Sequence, residues 1–270
     1  MGLQQYLGTG NGVQTSFPMP NNSALVLLGA DATLVPYQTD ALGTVPLRNS
    51  PRTNYVLYSE NNTYFGANTG TPTIAATTIA DLDSGTTDSA YLNTTIPNDS
   101  NTLLASCFIA TGSGVICGLR STLSGGTPPN SVYLMVNTAT GAFKCYDSTN
   151  APVAGGSVTP VAGGFVCSWP ITNNSTGNTT LLIICYPAYA GSLGSPGAYP
   201  VVVDATQTQT VTIGKWQIVE ESVRGAYYYT NGSTVTRTDY SLSGSNVVFA
   251  VATANGVTLT WNGQTLDRGN

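Results

Sequence analysis

Turn-forming residues break this sequence every few positions, and that punctuation leaves no room for long helices. Gly, Pro, Asn and Thr recur so closely that no window sustains the helical apolar period of about 3.6 residues. What survives between the interruptions is strand-like. Ala24–Leu28, Thr102–Ala110, Val132–Asn137, Thr179–Tyr186, Thr208–Val219, Asn246–Ala252 and Val257–Trp261 are rich in β-branched or aromatic residues and bounded by turn residues. Within Thr208–Val219 the pattern alternates. Thr208, Thr210 and Thr212 fall on one side, and Gln209, Val211 and Ile213 on the other. Thr138–Gly141 and Thr230–Ser233 read as turns. Short strands at this spacing predict an all-β protein built as a sandwich or barrel.

Length and composition bound the chemistry. A chain of 270 residues can bury a core without disulfide staples. Charged residues are only 8% of the total, against roughly a quarter in ordinary domains, so Thr, Ser, Asn and Gly must supply the polar surface. Net charge is −5, and the eight Lys and Arg are scattered, so no nucleic-acid partner is expected. Membrane insertion is not expected either, because the longest apolar runs, such as Leu181–Cys185, are far too short to span a bilayer. The N-terminal residues Met1–Gln5 do not read as a signal peptide. The five cysteines (Cys107, Cys117, Cys145, Cys167, Cys185) sit singly and are expected to be reduced, buried and structural, in a chain made in a cytosol.

The chain has no histidine, which removes Ser-His-Asp and Cys-His catalysis and every His-containing metal site. No cofactor, metal or catalytic residue is expected. Glu220 and Glu221 are adjacent, so within a strand they would point to opposite faces and could not share one bond. Asp81–Gly85 has the outline of a calcium loop but lacks the ligand spacing and the closing Glu, so it reads as a turn. Trp216 with Tyr227, Tyr228 and Tyr229 is the candidate contact site, for glycan or for another subunit. In a strand, Tyr227 and Tyr229 would share one face, either as a sugar-stacking platform or as a subunit interface, with Tyr228 opposite.

The two ends of the chain read as one module. Residues 1–40 end in Thr39-Asp40, and residues 239–270 follow Thr238 with Asp239. Joined, they give a strand–turn–strand, so 1–40 plus 239–270 are expected to form a small discontinuous β module that anchors the protein. Residues 41–238 would be an inserted domain. The terminal residues Asn11-Gly12-Val13, Thr15, Phe17, Pro18, Asp239-Tyr240, Gly244, Val247–Phe249 and Ala254–Leu259 resemble a short element of bacteriophage tail fibres and other virion proteins. Asn255 stands where that element has Pro.

Two segments bracket the insert. Asn54–Glu60 is similar to the opening strand of the lectin-like, carbohydrate-binding-module-like sandwiches of phage tail and decoration proteins. Trp216–Ser222, Ala226–Thr230 and Val235–Arg237 are similar to the closing strand and tail, without the usual Gly-Ala after the Trp. The resemblance implies a lectin-like jelly-roll β-sandwich inserted into the terminal module. It implies a non-enzymatic virion structural protein: a capsid decoration or cement protein, a head fibre, or a tail-fibre or collar subunit. Its partners would be other virion proteins of the capsid or tail and further copies of itself, a trimer being one such assembly. The alternatives are an adhesin that binds host surface glycan and, behind it, a polysaccharide-degrading enzyme.

Overall fold

The computed structural model describes residues 36–126 and 130–243, with strands at 16–18, 246–249, 258–261 and 264–265. The strand read at Ala24–Leu28 and the motif positions Asn11–Thr15, Gly244 and 254–257 lie outside the described residues.

The chain divides into two compact units. The larger comprises Thr53–Val223 and Tyr227–Val235. It consists of two large antiparallel sheets that pack together, so the all-β expectation holds. One sheet has the order β12 (Phe143–Asp147), β11 (Ser131–Asn137), β10 (Ile116–Ser124), β15 (Thr180–Ala190), β8 (Ser89–Thr95), β5 (Gly66–Thr69). The other runs β13 (Ser157–Val161), β14 (Gly164–Thr172), β9 (Thr102–Ala110), β16 (Gln209–Glu220), β7 (Thr78–Asp81), β6 (Thr73–Ile74).

Alternation decides what each sheet gives the core. Leu119 and Leu123 of β10, Leu134 and Val136 of β11, and Leu181 and Ile183 of β15 point inward from the first sheet. Leu103 and Ile109 of β9, and Phe165, Trp169 and Ile171 of β14, meet them from the second. Each such fully buried side chain contributes ~1.5–3 kcal/mol. Trp169 also spans the layer, donating its indole N–H to Ser121 Oγ of β10 at 2.7 Å. This satisfies the one polar atom that so large a ring brings inside.

Strand β16 carries the decisive irregularity. Val211 and Ile213 face the core, so strict alternation would turn Lys215 inward and Trp216 outward. Instead the register of β16 against β9 slips between Gly214 and Gln217, and Lys215 takes a left-handed φ of 54°. The extra residue reverses the phase of the strand. Trp216 and Ile218 then point into the core, and Lys215 is left outside it.

The smaller unit comprises Met1–Arg52, Arg224–Ala226 and Thr236–Asn270. One sheet joins β1 (Ser16–Pro18), β19 (Asn246–Phe249) and β18 (Tyr240–Ser243). A second joins β21 (Gln264–Thr265), β20 (Thr258–Trp261), β2 (Pro36–Asp40) and β3 (Gly43–Pro46). The unit thus pairs strands drawn from opposite ends of the chain. A buried ion pair does the same: Arg52 Nη2 donates to Asp239 Oδ2 at 2.5 Å, with both side chains 4% exposed. Asp239 Oδ2 also accepts from the Arg48 backbone N–H at 2.8 Å. Gly225 makes room for the guanidinium, because a Cβ there would lie 2.0 Å from Arg52 Nη1. The remaining strands, β4 (Arg52–Asn54) and β17 (Val235–Arg237), pair with each other.

Candidate functional site

Asn54 organises the region that holds the four candidate aromatics. It is fully buried, and its amide uses both ends. Nδ2 donates to the carbonyls of Tyr228 (2.8 Å) and Trp216 (3.4 Å), while Oδ1 accepts from the N–H of Val56 and of Ile218. Ser59 continues the clamp. Its Oγ accepts from Tyr227 Oη at 2.7 Å and from the Thr230 N–H at 2.9 Å. A single bridge between Tyr58 and Asn231 completes the antiparallel run.

The four aromatics do not form one surface. Trp216 and Tyr228 are 0% exposed. The β16 bulge turns Trp216 into the core, where its indole N–H donates to Asn62 Oδ1 at 2.9 Å and its ring tilts against Phe65. Tyr228 is fixed by its backbone: its N–H donates to Gln217 Oε1 and its carbonyl accepts from Asn54. Neither ring can touch a glycan or a second subunit, so both leave the candidate surface. Tyr227 is half-buried and Tyr229 is 55% exposed. Burial holds the Tyr227 hydroxyl well above the ordinary tyrosine range, and Lys215 Nζ lies 5.9 Å from its ring centroid.

Two rings that the sequence did not single out complete this patch. Tyr58 stacks on Tyr64 with centroids 3.4 Å apart and planes 3° from parallel, and Tyr64 is 49% exposed. The motif Asn54–Glu60 contained Tyr58, but nothing local tied it to Tyr64, which ends a short 3₁₀ turn at Asn62–Tyr64.

A second aromatic surface covers the outer face of the first sheet. Tyr91, Ile184, Arg120, Tyr133 and Tyr146 are direct cross-strand partners in turn, one row through β8, β15, β10, β11 and β12. Tyr133 stacks on Tyr146 at 5.2 Å and 11°. Tyr186 and Tyr189 lie over β10 at Gly118, where an added Cβ would come within 3.2 Å of Tyr189 and of Met135. The 191–208 loop packs Val201 against Ile116, Met135 and Tyr146. Lys144 ties that loop down by donating to the carbonyls of Ser195 (2.9 Å) and Ala198 (2.7 Å). Burial raises the hydroxyls of Tyr146 and Tyr189 above the ordinary value.

The carboxylates of the larger unit serve mainly their own chain. Asp83 Oδ1 accepts from the N–H of Gly85 and Thr86, so a turn follows β7, which ends at Asp81. Asp99, Asp147 and Asp204 cap turns in the same way through Asn101, Thr149 and Thr206. Glu220 and Glu221 both line one hollow of about 310 Å³ with Asn101, Thr102 and Ser222. The expectation of opposite faces applied to a strand, and β16 ends at Glu220. Both oxygens of Glu220 are engaged: Tyr55 Oη donates to Oε1 at 2.5 Å and Asn101 Nδ2 to Oε2 at 3.2 Å. The neighbouring groove of about 490 Å³ has mixed walls, including Val132, Asp147, Pro170 and Ile171.

All five cysteines are free and buried. Cys107 and Cys167 are direct partners between β9 and β14, and Cys117 and Cys185 belong to the facing sheet. Burial, then the hydrogen bond with Cys167, lifts the Cys107 thiol well above its ordinary range. The hydrogen bond with Cys117, followed by burial, does the same for Cys185, and burial pushes Cys145 up to about 12. At neutral pH these groups are thiols rather than nucleophilic thiolates. Among the described residues no group of three or more His, Cys, Asp or Glu side chains is placed to hold a metal ion. Among the same residues no helix is long and apolar enough to cross a membrane. The chain matches no protein-family model and no curated protein sequence.

Proposed function

We propose that this chain is a non-enzymatic structural protein of a bacteriophage particle. In this reading the unit built from both chain ends anchors it, and the lectin-like jelly-roll sandwich is presented to the outside. The role is capsid decoration or cement, a head fibre, or a tail-fibre or collar subunit. The observation that carries this reading is how the sandwich spends its polar groups. Four aspartates cap its own turns, Glu220 is held by Tyr55 and Asn101, and the thiols are inside. Such a body offers partners shape, hydroxyls and amides. The motif resemblance at Asn54–Glu60 and Asp239-Tyr240 points the same way.

The test is to incubate the purified full chain with phage particles lacking it and to image where it binds. Regular occupancy of the capsid lattice is the expected result for a decoration protein, and occupancy of the tail or collar alone for a fibre subunit. Absence of binding to any part of the particle overturns the reading. The adhesin alternative is favoured by one observation, the exposed Tyr58–Tyr64 stack beside Tyr229 on the Ser59–Thr230 run.

A further inference from the structure

The outer face of the first sheet carries a cation that its own chain leaves uncompensated. Lys144 and Arg120 both belong to that face, and their surroundings differ. Lys144 is consumed by two loop carbonyls. Arg120, half-buried, meets the Ser131 hydroxyl through Nη2 at 3.3 Å and lies 5.1 Å from the centroid of the Tyr133 ring. Its Nε is buried with no acceptor, and no carboxylate among the described residues forms an ion pair with it. Desolvating a guanidinium without an anion is costly, so an arginine left in this state is set up for an anion from outside.

The neighbours specify which anion. A guanidinium fork matches planar carboxylate geometry. Tyr133 is held between Arg120 and Tyr146 and steadies the guanidinium, while Tyr91, half-buried in the same cross-strand row, offers a ring suited to the apolar side of a pyranose. The hydroxyls of Thr122 and Ser131, 2.9 Å apart, supply hydrogen-bonding partners at the rim. One uncompensated cation on this face, in a chain of net charge −5, fits one charge per sugar and does not fit a polyphosphate backbone. We infer that the Arg120–Tyr133 face binds a carboxylate-bearing glycan, a uronate- or sialate-type sugar, with Arg120 on the carboxylate and Tyr91 against a sugar ring. This inference stands apart from where, or whether, the protein sits in a particle.

The test is calorimetric titration of the full chain at low ionic strength with hexagalacturonate, a hyaluronan hexasaccharide and sialyllactose. Maltohexaose and lactose serve as neutral controls, and hexaglutamate as an acidic peptide. At least one sugar acid is expected to bind about tenfold or more tightly than the neutral sugars and hexaglutamate, a difference of ~1.4 kcal/mol or more. Arg120→Gln should erase that preference, and Arg120→Lys, which keeps the charge and loses the fork, should weaken binding several-fold. Lys215→Gln, which removes a cation from the other tyrosine patch, should leave it unchanged. Failure of all three sugar acids to bind at millimolar concentration overturns the inference. So does equal binding of neutral sugars or hexaglutamate, or full binding by Arg120→Gln. If Arg120→Gln does not fold, the wild-type preference for sugar acids and the Arg120→Lys variant still decide the matter.

Discussion

Around Ser59, Tyr58 stacks on Tyr64 in the open; on the outer face of the first sheet, Tyr133 stacks on Tyr146 beside a pinned loop. The chemistry of the two pairs is the same, and their neighbours differ. Tyr64 is 49% exposed, whereas Tyr146 is 2% exposed and packs against Val201, Met135 and Ile116. An exposed stack gains little on folding, because water is lost from few faces of the rings. A covered stack gives the full burial term and holds down the segment above it. The first patch is therefore free to serve a partner, while the covered end of the second holds its loop and leaves Tyr91, Arg120 and Tyr133 as its reachable part.

The sharpest way to break this contrast is to delete the covered ring. Tyr146→Ala should cost about 3–5 kcal/mol in urea unfolding, the range for large core deletions. A cost below 1 kcal/mol, which is about a fivefold change in the folding equilibrium, would mean that the 191–208 loop does not seal the face. Lys144→Met should lose about 1.5–3 kcal/mol, the range for hydrogen bonds to a charged group. Limited proteolysis should then cut first within 191–208, and an unchanged cleavage pattern would show that the loop is held by Val201 alone. On the other side, Ser59→Ala should cost about 1–2 kcal/mol, since the Thr230 N–H and the Tyr227 hydroxyl lose their shared partner. Tyr64→Ser should stay within about 0.5 kcal/mol of wild type, as surface changes do.

Alkaline titration sharpens the same comparison with the smallest effect. Hydrogen bonding to Tyr64 raises the Tyr58 hydroxyl, so Tyr64→Phe should return Tyr58 toward its ordinary value. Burial raises Tyr146, and no change at another hydroxyl should lower it fully. A phenol raised in the folded state stabilises the fold below its unfolded value near 10, and that contribution is lost as pH rises through the folded value. Ultraviolet titration of wild type reads this directly. Tyr146 should ionise only as the fold opens.

The sequence was most legible where structure is local. Thr102–Ala110 is a strand with the bounds that were read, and Thr138–Gly141 is a turn in which Asn137 Oδ1 caps Ala139 and Thr140. The alternation of Gln209, Val211 and Ile213 is correct as far as it goes. It ends at the Lys215 bulge, which nothing in a one-dimensional pattern marks, since the residue in the left-handed conformation is a lysine and not a glycine. That single inserted residue moved Trp216 from surface to core. Tyr227–Tyr229 stood out because its members are consecutive. Tyr91, Arg120, Tyr133 and Tyr146 sit on four strands scattered over more than fifty positions, and only the register aligns them. Burial separated Tyr228 from its neighbours for a reason equally distant in sequence, the buried amide of Asn54.

The Arg52–Asp239 pair closes a loop of 187 positions, and this sets a schedule for a chain emerging from a ribosome. Arg52 must wait until Asp239 has been synthesised, roughly 10–40 s at ordinary elongation rates. The sandwich residues between them are complete sooner, and can bury their own core while the smaller unit still lacks its second half. The order of assembly is thus written into the connectivity: the middle of the chain matures first, and the joined ends last.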